Sequence, residues 1–262
     1  IPEVFDTWNG RGIDLVGLHV HIGSPVPRVE PYVEAVEVLL GLIDELERRG
    51  HPIEMLDLGG GWPINYTEDE VPPLEDYATA LIPLLSARVE SGLQVLMEPG
   101  RSIMANSGVL ISRVQHVKKG RAKTFIICDA GMHTLIRPAL YRAFHFVWPV
   151  EWPGEAPRFL EDPGISDLDI ADLVGPICET GDFLARNRKL PPMERGDLVA
   201  IFSAGAYGMS MVSNYNDHGR PAEVLVDGDR ATLINERQSL AAVLATEHQG
   251  RELKLPQTVG DS

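Results

Sequence analysis

The chain is 262 residues long, 44% hydrophobic and 23% charged, an ordinary globular balance that allows one large domain or two ordinary ones. Its 38 acidic residues outnumber 23 basic ones for a formal charge of −15, which excludes a general attraction to nucleic acid or anionic membrane. Any anion site must therefore be built locally. Cys128 and Cys178 lack metal or redox spacing and read as reduced thiols; with no run of about 18 apolar residues and no signal peptide, the expectation is a soluble, cytoplasmic protein.

Leu15–Val20 is a short apolar run ending in His-x-His and reads as a strand. Over Pro31–Arg49 apolar residues recur at helical spacing (Val33, Val36, Leu39, Leu40, Ile43, Leu46), and Gly50 is the stop. Ile53–Leu58 is a second strand, running into Gly59-Gly60-Gly61. Leu74–Glu90 is a second helix and Gln94–Met97 a third strand. Strand and helix alternating at this spacing indicate a parallel α/β sheet or barrel, whose strand ends carry chemistry.

The pattern changes after about Asn106. Val109–Val117 alternates moderately and Thr124–Cys128 is apolar. Val147–Pro163 is rich in proline, tryptophan and glutamate. Asp197–Phe202, Ala222–Asp227 and Ala231–Asn235 read as strands, the last two joined by the hairpin signal Asp227-Gly228. The expected fold class is thus α/β plus β, with a parallel α/β sheet or barrel over residues 1–106 and a mainly antiparallel β domain over residues 107–262. The tail after Glu247 is polar and reads as frayed.

Five segments carry candidate chemistry. His21, Gly23 and Ser24 follow the first strand; the imidazole can face a planar ring and the hydroxyl can bond a phosphate, although a core histidine beside a turn has the same signature. His19 shares its strand face, but no spacing in the sequence supplies the pair with further metal ligands. Gly59 to Gly61 let bare N–H groups approach a phosphate, or simply make a tight turn. Glu98-Pro99-Gly100-Arg101 offers a carboxylate for a protonated ring nitrogen and an arginine for an anion; a surface ion pair is the plain alternative.

Asp129 to Tyr141 places an acid, Arg137 and Tyr141 on one short segment, and an arginine fork can grip a carboxylate through two parallel hydrogen bonds. Cys178-Glu179 pairs a thiol with a carboxylate, suited to proton donation or to binding, unless the cysteine is a structural one. Tyr207, in Gly205 to Met211 and ahead of Asn214-Tyr215-Asn216, can reach a phosphate or pack as a loop aromatic.

Taken in order, these motifs resemble the C-terminal three-fifths of the alanine-racemase-like, fold type III pyridoxal-phosphate decarboxylases, from about Leu15 to Ala245. His21 to Ser24, the three glycines and Glu98 to Arg101 are shared across the ornithine, arginine and diaminopimelate branches. Arg137 to Tyr141, Cys178 to Asp182 and Tyr207 to Asn216 resemble the diaminopimelate branch more closely. The resemblance implies that residues 1–106 are part of a barrel, the C-terminal strands and helices of a TIM-type barrel that binds pyridoxal 5'-phosphate, followed over residues 107–262 by a β domain some of whose segments return to the barrel. It implies decarboxylation of meso-2,6-diaminopimelate to L-lysine, with no metal.

By the same resemblance His21 stacks on the cofactor ring and also counts, with Cys178, among the catalytic residues. Ser24, Gly60 and Gly61 touch the phosphate, Glu98 pairs with the ring nitrogen, and the Glu98, Pro99, Gly100, Arg101 loop closes the cofactor site. Arg101, Arg137 and Tyr141 hold the substrate's distal carboxylate. Cys178 is the proton donor and Glu179 a substrate ligand, both reaching a neighbouring subunit's site in a homodimer with shared active sites. Tyr207 contacts cofactor and substrate, and Asp129 is a support residue. Neither nucleic acid nor membrane is an expected partner.

The chain departs from the pattern in one respect. Family members carry the cofactor-anchoring lysine on an early barrel strand, whereas Lys118, Lys119, Lys123, Lys189 and Lys254 lie in no matching motif. The expectation is a fragment, weakly stable and inactive alone, of a full-length enzyme. The rival readings are a decarboxylase of carboxynorspermidine, arginine or ornithine, and a non-catalytic pyridoxal-phosphate-binding protein. Arg137 and Tyr141 favour a substrate with a second carboxylate, since a diamine end would call for acids instead.

Overall fold

The computed structural model describes residues 1–66, 71–121, 123–153, 168–247 and 250. Residues 154–163 of the proline-rich stretch and nearly all of the tail after Glu247 lie outside them.

After a short helix α1 (Pro2–Trp8), the first layer is built by strand and helix in alternation. It comprises β1 (Gly17–His19), α2 (Glu30–Arg48), β2 (Met55–Asp57), α3 (Leu74–Glu90) and β3 (Gln94–Leu96). The strands are parallel in the order β1-β2-β3, with Leu18, Leu56 and Val95 in register. The helices cover one face. Tyr32, Val36, Leu39, Ile43 and Leu46 of α2 recur every three or four residues and are all buried, as are Tyr77, Leu81 and Leu85 of α3. Gly50 stops α2 in the left-handed region at φ 90°. Because strands in register begin and end together, the loops after β1, β2 and β3 meet at one end of the sheet.

The short helix α4 (Gly100–Met104) leads into a second layer. It contains β4 (Leu110–Lys119), β5 (Thr124–Cys128), the helical turn α5 (Arg137–Tyr141), β6 (Val147–Pro149), β7 (Asp169–Val174), β8 (Phe183–Leu190) and β9 (Leu198–Ile201). These strands form a six-stranded sheet in the order β6-β9-β4-β5-β7-β8, antiparallel except for β5 against β7. A separate hairpin of β10 (Glu223–Asp227) and β11 (Arg230–Asn235) turns at Gly228, φ 60°.

The two layers have separate cores. One runs from Phe5 to Leu93 around Ile43, Leu46, Leu56 and Trp62; the other runs from Val114 to Ile201 around Leu135, Leu173, Leu184 and Val199. Backbone bonds from Ala204 N to Gly108 O (2.8 Å) and from Gly205 N to Ala105 O (3.0 Å) tie them together. Gly108 and Gly205 must be glycine there, since a Cβ on Gly205 would sit 1.9 Å from the Met104 carbonyl. No helix among the described residues is long and apolar enough to cross a membrane.

Candidate functional site

At the carboxyl ends of β1 to β3, three loops approach more closely than side chains would permit. A Cβ on Gly59 would lie 2.2 Å from the Val20 carbonyl, and one on Gly61 would lie 2.3 Å from the Gly23 carbonyl. Both glycines have positive φ, +67° and +96°. The glycine loop is pinned from behind by Tyr32, whose hydroxyl donates to Gly60 O at 2.8 Å, and by Trp62, whose indole N–H donates to Gly59 O at 3.0 Å. Those two rings stack at 4.5 Å, and Tyr77 meets both edge-on. The His21 ring lies against the loop, its Nδ1 accepting the Gly60 N–H at 3.2 Å.

Beside it, Nε2 of His19 is 3.9 Å from Oε2 of Glu98, and one ligand atom each from His19, Asp57 and Glu98 fall within 4.8 Å of one another. The fold thus gives His19, though not His21, the acidic neighbours that sequence spacing did not supply. Asp57 is His19's register partner across β1 and β2, a proximity invisible in sequence spacing.

Arg101, in the first turn of α4, donates to Ser24 Oγ at 3.2 Å and to the Tyr66 hydroxyl at 3.0 Å. Its guanidinium lies 4.8 Å from the Tyr207 ring centre and 5.8 Å from that of Tyr66. Arg137 approaches from the other layer and faces the same two rings, at 4.7 Å for Tyr66 and 6.0 Å for Tyr207. It is only 6% exposed, and one Nη donates to His145 Nε2 at 2.8 Å. Neither arginine forms an ion pair among the described residues. Burial works against the Arg137 charge and the nearby Arg101 adds to that, so an anion placed between them would relieve both.

Tyr141, expected beside Arg137, is 63% exposed, and its hydroxyl makes no hydrogen bond among the described residues. The structure therefore does not assemble the Arg137–Tyr141 pair, and the partners it gives Arg137 are Tyr66, Tyr207 and His145. Tyr66 and His145 sit in no sequence motif and were not among the expected site residues.

Cys178 and Glu179 occupy an exposed loop, where Asn216 Nδ2 meets Cys178 Sγ at 3.5 Å and the Tyr215 hydroxyl donates to Glu179 Oε2 at 3.3 Å. Among the described residues these side-chain bonds lead to the Tyr215–Asn216 turn and not to the strand-end cluster. The loop hangs from Asp182, whose carboxylate accepts the N–H groups of Ile177 and Met132. Cys128, by contrast, is wholly buried, and burial pushes its thiol up to about 12, which leaves it inert. Asp129 accepts from Ser112 Oγ (2.6 Å) and from the Arg113 N–H (2.8 Å), a supporting role.

A family described as "Pyridoxal-dependent decarboxylase, C-terminal sheet domain" matches residues 6–205, and the chain belongs to it. Among curated proteins, the chain is 46% identical over 235 residues to a diaminopimelate decarboxylase of Neisseria meningitidis, covering 90% of this chain and 54% of that protein. A diaminopimelate decarboxylase of Aquifex aeolicus is 45% identical over 230 residues, 87% of this chain and 51% of that one. A crystal structure of diaminopimelate decarboxylase from Helicobacter pylori, complexed with L-lysine, matches with a TM-score of 0.82 at 34% identity, over 93% of this chain and 57% of that one. The chain thus spans about half the length of the relatives it matches.

The strand-end residues fit the cofactor that the family name implies. The side-chain-free backbone at Gly60 and Gly61, the Ser24 hydroxyl and the Arg101 guanidinium suit a phosphate. The buried Nε of Arg101 has no hydrogen-bond partner, as expected of a donor awaiting an anion. Glu98 offers an exposed carboxylate and His21 a ring held against the glycine loop.

Proposed function

We propose that the protein to which this chain belongs decarboxylates meso-2,6-diaminopimelate to L-lysine with pyridoxal 5'-phosphate, and that this chain supplies the closing strands of a TIM-type barrel together with its β domain. One observation carries the choice of substrate: Arg101 and Arg137 converge on Tyr66 and Tyr207 with no carboxylate between them among the described residues. Two arginine forks on aromatic walls suit an acid-tipped substrate and repel a diamine end.

When bound, pyridoxal phosphate supplies the electron sink for the pair released as carbon dioxide leaves. Ser24, Gly60, Gly61 and Arg101 would hold its phosphate, His21 would cover the ring, and Glu98 would keep the ring nitrogen's proton. Pro99 and Gly100 shape the turn that presents Arg101, and Tyr207 walls the substrate side. Arg137 would orient the far carboxylate, and Tyr141, exposed and apart from Arg137 here, would have to move to join it. Cys178 would deliver a proton, with Glu179 beside it as a substrate ligand. Their exposure, and the lack of side-chain bonds to the strand-end cluster among the described residues, suit service in a partner subunit's site of a homodimer.

No described lysine stands on β1 to β3 or on the loops that follow them. Lys118, Lys119, Lys123 and Lys189 lie in or beside the six-stranded sheet, and Lys254 is outside the described residues. The 262 residues alone are therefore expected to be inactive. Supplied with the part of the Neisseria relative that the chain does not cover, and with the cofactor, they should form lysine from diaminopimelate, detectable by chromatography. Amine formed from ornithine or arginine instead would overturn the assignment, as would robust turnover by the chain alone. In a full-length active dimer, Cys178→Ala and His21→Ala subunits, each inactive, should complement when mixed.

A further inference from the structure

His145 has no part in the binding scheme above, yet its bonding is unusually determinate. It is 0% exposed and touches both Arg137 and the Tyr66 ring, whose centre lies 5.7 Å from its own. A guanidinium only donates, so the 2.8 Å contact from Arg137 Nη1 requires Nε2 of His145 to be a bare acceptor. The proton must then reside on Nδ1, which donates to the Phe202 carbonyl at 2.8 Å. The imidazole is thereby a fixed strut between the end of β9 and the buried arginine.

Among the described residues the charged groups that act on His145 are cations, Arg137, Arg188 and Arg101, and the Tyr66 ring meets it edge-on at 5.7 Å. The neutral form is the one this setting maintains.

We infer that His145 is a positioning residue that fixes the plane of the Arg137 guanidinium, and thereby sets the preference for a substrate ending in a carboxylate. The inference rests on the proposed substrate reading. Of the five N–H donors of Arg137, one is held by His145, which restrains the fork's rotation about its last bonds. A planar fork held in one orientation can meet a carboxylate through two bonds at once, whereas a free one loses that geometry.

Asparagine and glutamine separate the strut's two ends. In His145→Asn the amide nitrogen takes the place of Nδ1 and keeps the Phe202 bond, while the acceptor for Arg137 is lost. In His145→Gln the amide oxygen takes the place of Nε2 and keeps Arg137. The test titrates the full-length protein and its His145→Asn and His145→Gln variants with pimelate and with hexanoate, which differ in one terminal carboxylate. Wild type should prefer pimelate, His145→Asn should lose ~10–100-fold of that preference, and His145→Gln should keep most of it.

Equal loss in both variants would reduce His145 to packing and overturn the inference, as would an unchanged preference in His145→Asn. A wild type that does not discriminate the two acids would instead sink the substrate reading itself. Nitrogen NMR of the unmodified protein gives a check independent of variant folding: a pyrrole-type Nδ1 with a pyridine-type Nε2 is expected, and the reverse tautomer overturns the strut.

Discussion

Asp182 receives the Met132 N–H at 2.6 Å on one carboxylate oxygen, joining the loop after β7 to the loop after β5. Its other oxygen takes Ile177 N–H, also at 2.6 Å, and the residue is 5% exposed. There is no room around it, since a Cβ on Gly131 would fall 2.4 Å from Oδ1 and one on Gly175 would fall 2.4 Å from the Gly131 Cα. One side chain thus sets the distance between the Cys178 loop and the Arg137 segment.

Replacing Asp182 by asparagine turns one of its acceptors into a donor aimed at an amide N–H. The expected cost is about 1–3 kcal/mol, read from the urea midpoint. A midpoint unchanged within error would show that the two loops are held by other means.

The glycines give opposite signs according to place. Gly61→Ala must fit a Cβ 2.3 Å from a carbonyl at φ +96°, so pyridoxal phosphate binding, followed by its absorbance, should be largely lost. Gly41 lies inside α2 with nothing within 4 Å of an added Cβ, and Gly41→Ala should stabilise by roughly 0.5–1 kcal/mol. A thermal melt that moved both variants the same way would contradict this reading of the loop.

Much of the scaffold was legible before the structure. α3 and β5 occupy the residues that periodicity marks, and α2 and the other strands read from the sequence fall within two residues. Among the strands not read are β7 and β8. In β7 the pattern is broken by Asp172, a buried acid that is matched by Lys123 and the Asn187 N–H. In β8 the charged and polar run Arg186 to Lys189, with Asn187 at φ +52°, looks like a loop. Tyr66 and His145 escaped for a different reason. A lone tyrosine and a lone histidine look like ordinary core residues, and only the left-handed turn at Arg142 (φ 55°) brings His145 back onto Arg137.

Two buried histidines make stability depend on pH. Burial pushes His133 and His145 down from 6.5 to about 4, with like charges adding to the effect. Between those values the unfolded chain binds protons that the folded chain refuses, so stability rises with pH across the window and falls on acidification. Across the whole window each histidine accounts for on the order of 3 kcal/mol of that fall. Asp182, pushed up by burial, acts in the opposite direction and offsets part of it. Urea midpoints at pH 7 and pH 5 should show the acid loss, and a higher midpoint at pH 5 would refute it.

Arg137→Ala should raise KM for diaminopimelate by ~10–100-fold in the full-length enzyme, since a charged hydrogen bond is worth about that. Arg137→Lys should not restore it, because an ammonium lacks the planar fork and cannot reach His145 and a carboxylate in the same plane. An unaltered KM in Arg137→Ala would exclude the residue from substrate binding.

The cores around Leu56 and around Leu173 share no buried residue, so the chain has the makings of two melting units rather than one. Heating should resolve two calorimetric transitions. Arg101 and Tyr66 belong to one unit, Arg137 and Tyr207 to the other, and each arginine faces a ring from both. An acid seated among them touches both units at once. Such a ligand would draw the two transitions together, so that the narrowing of the gap between them becomes a measure of occupancy.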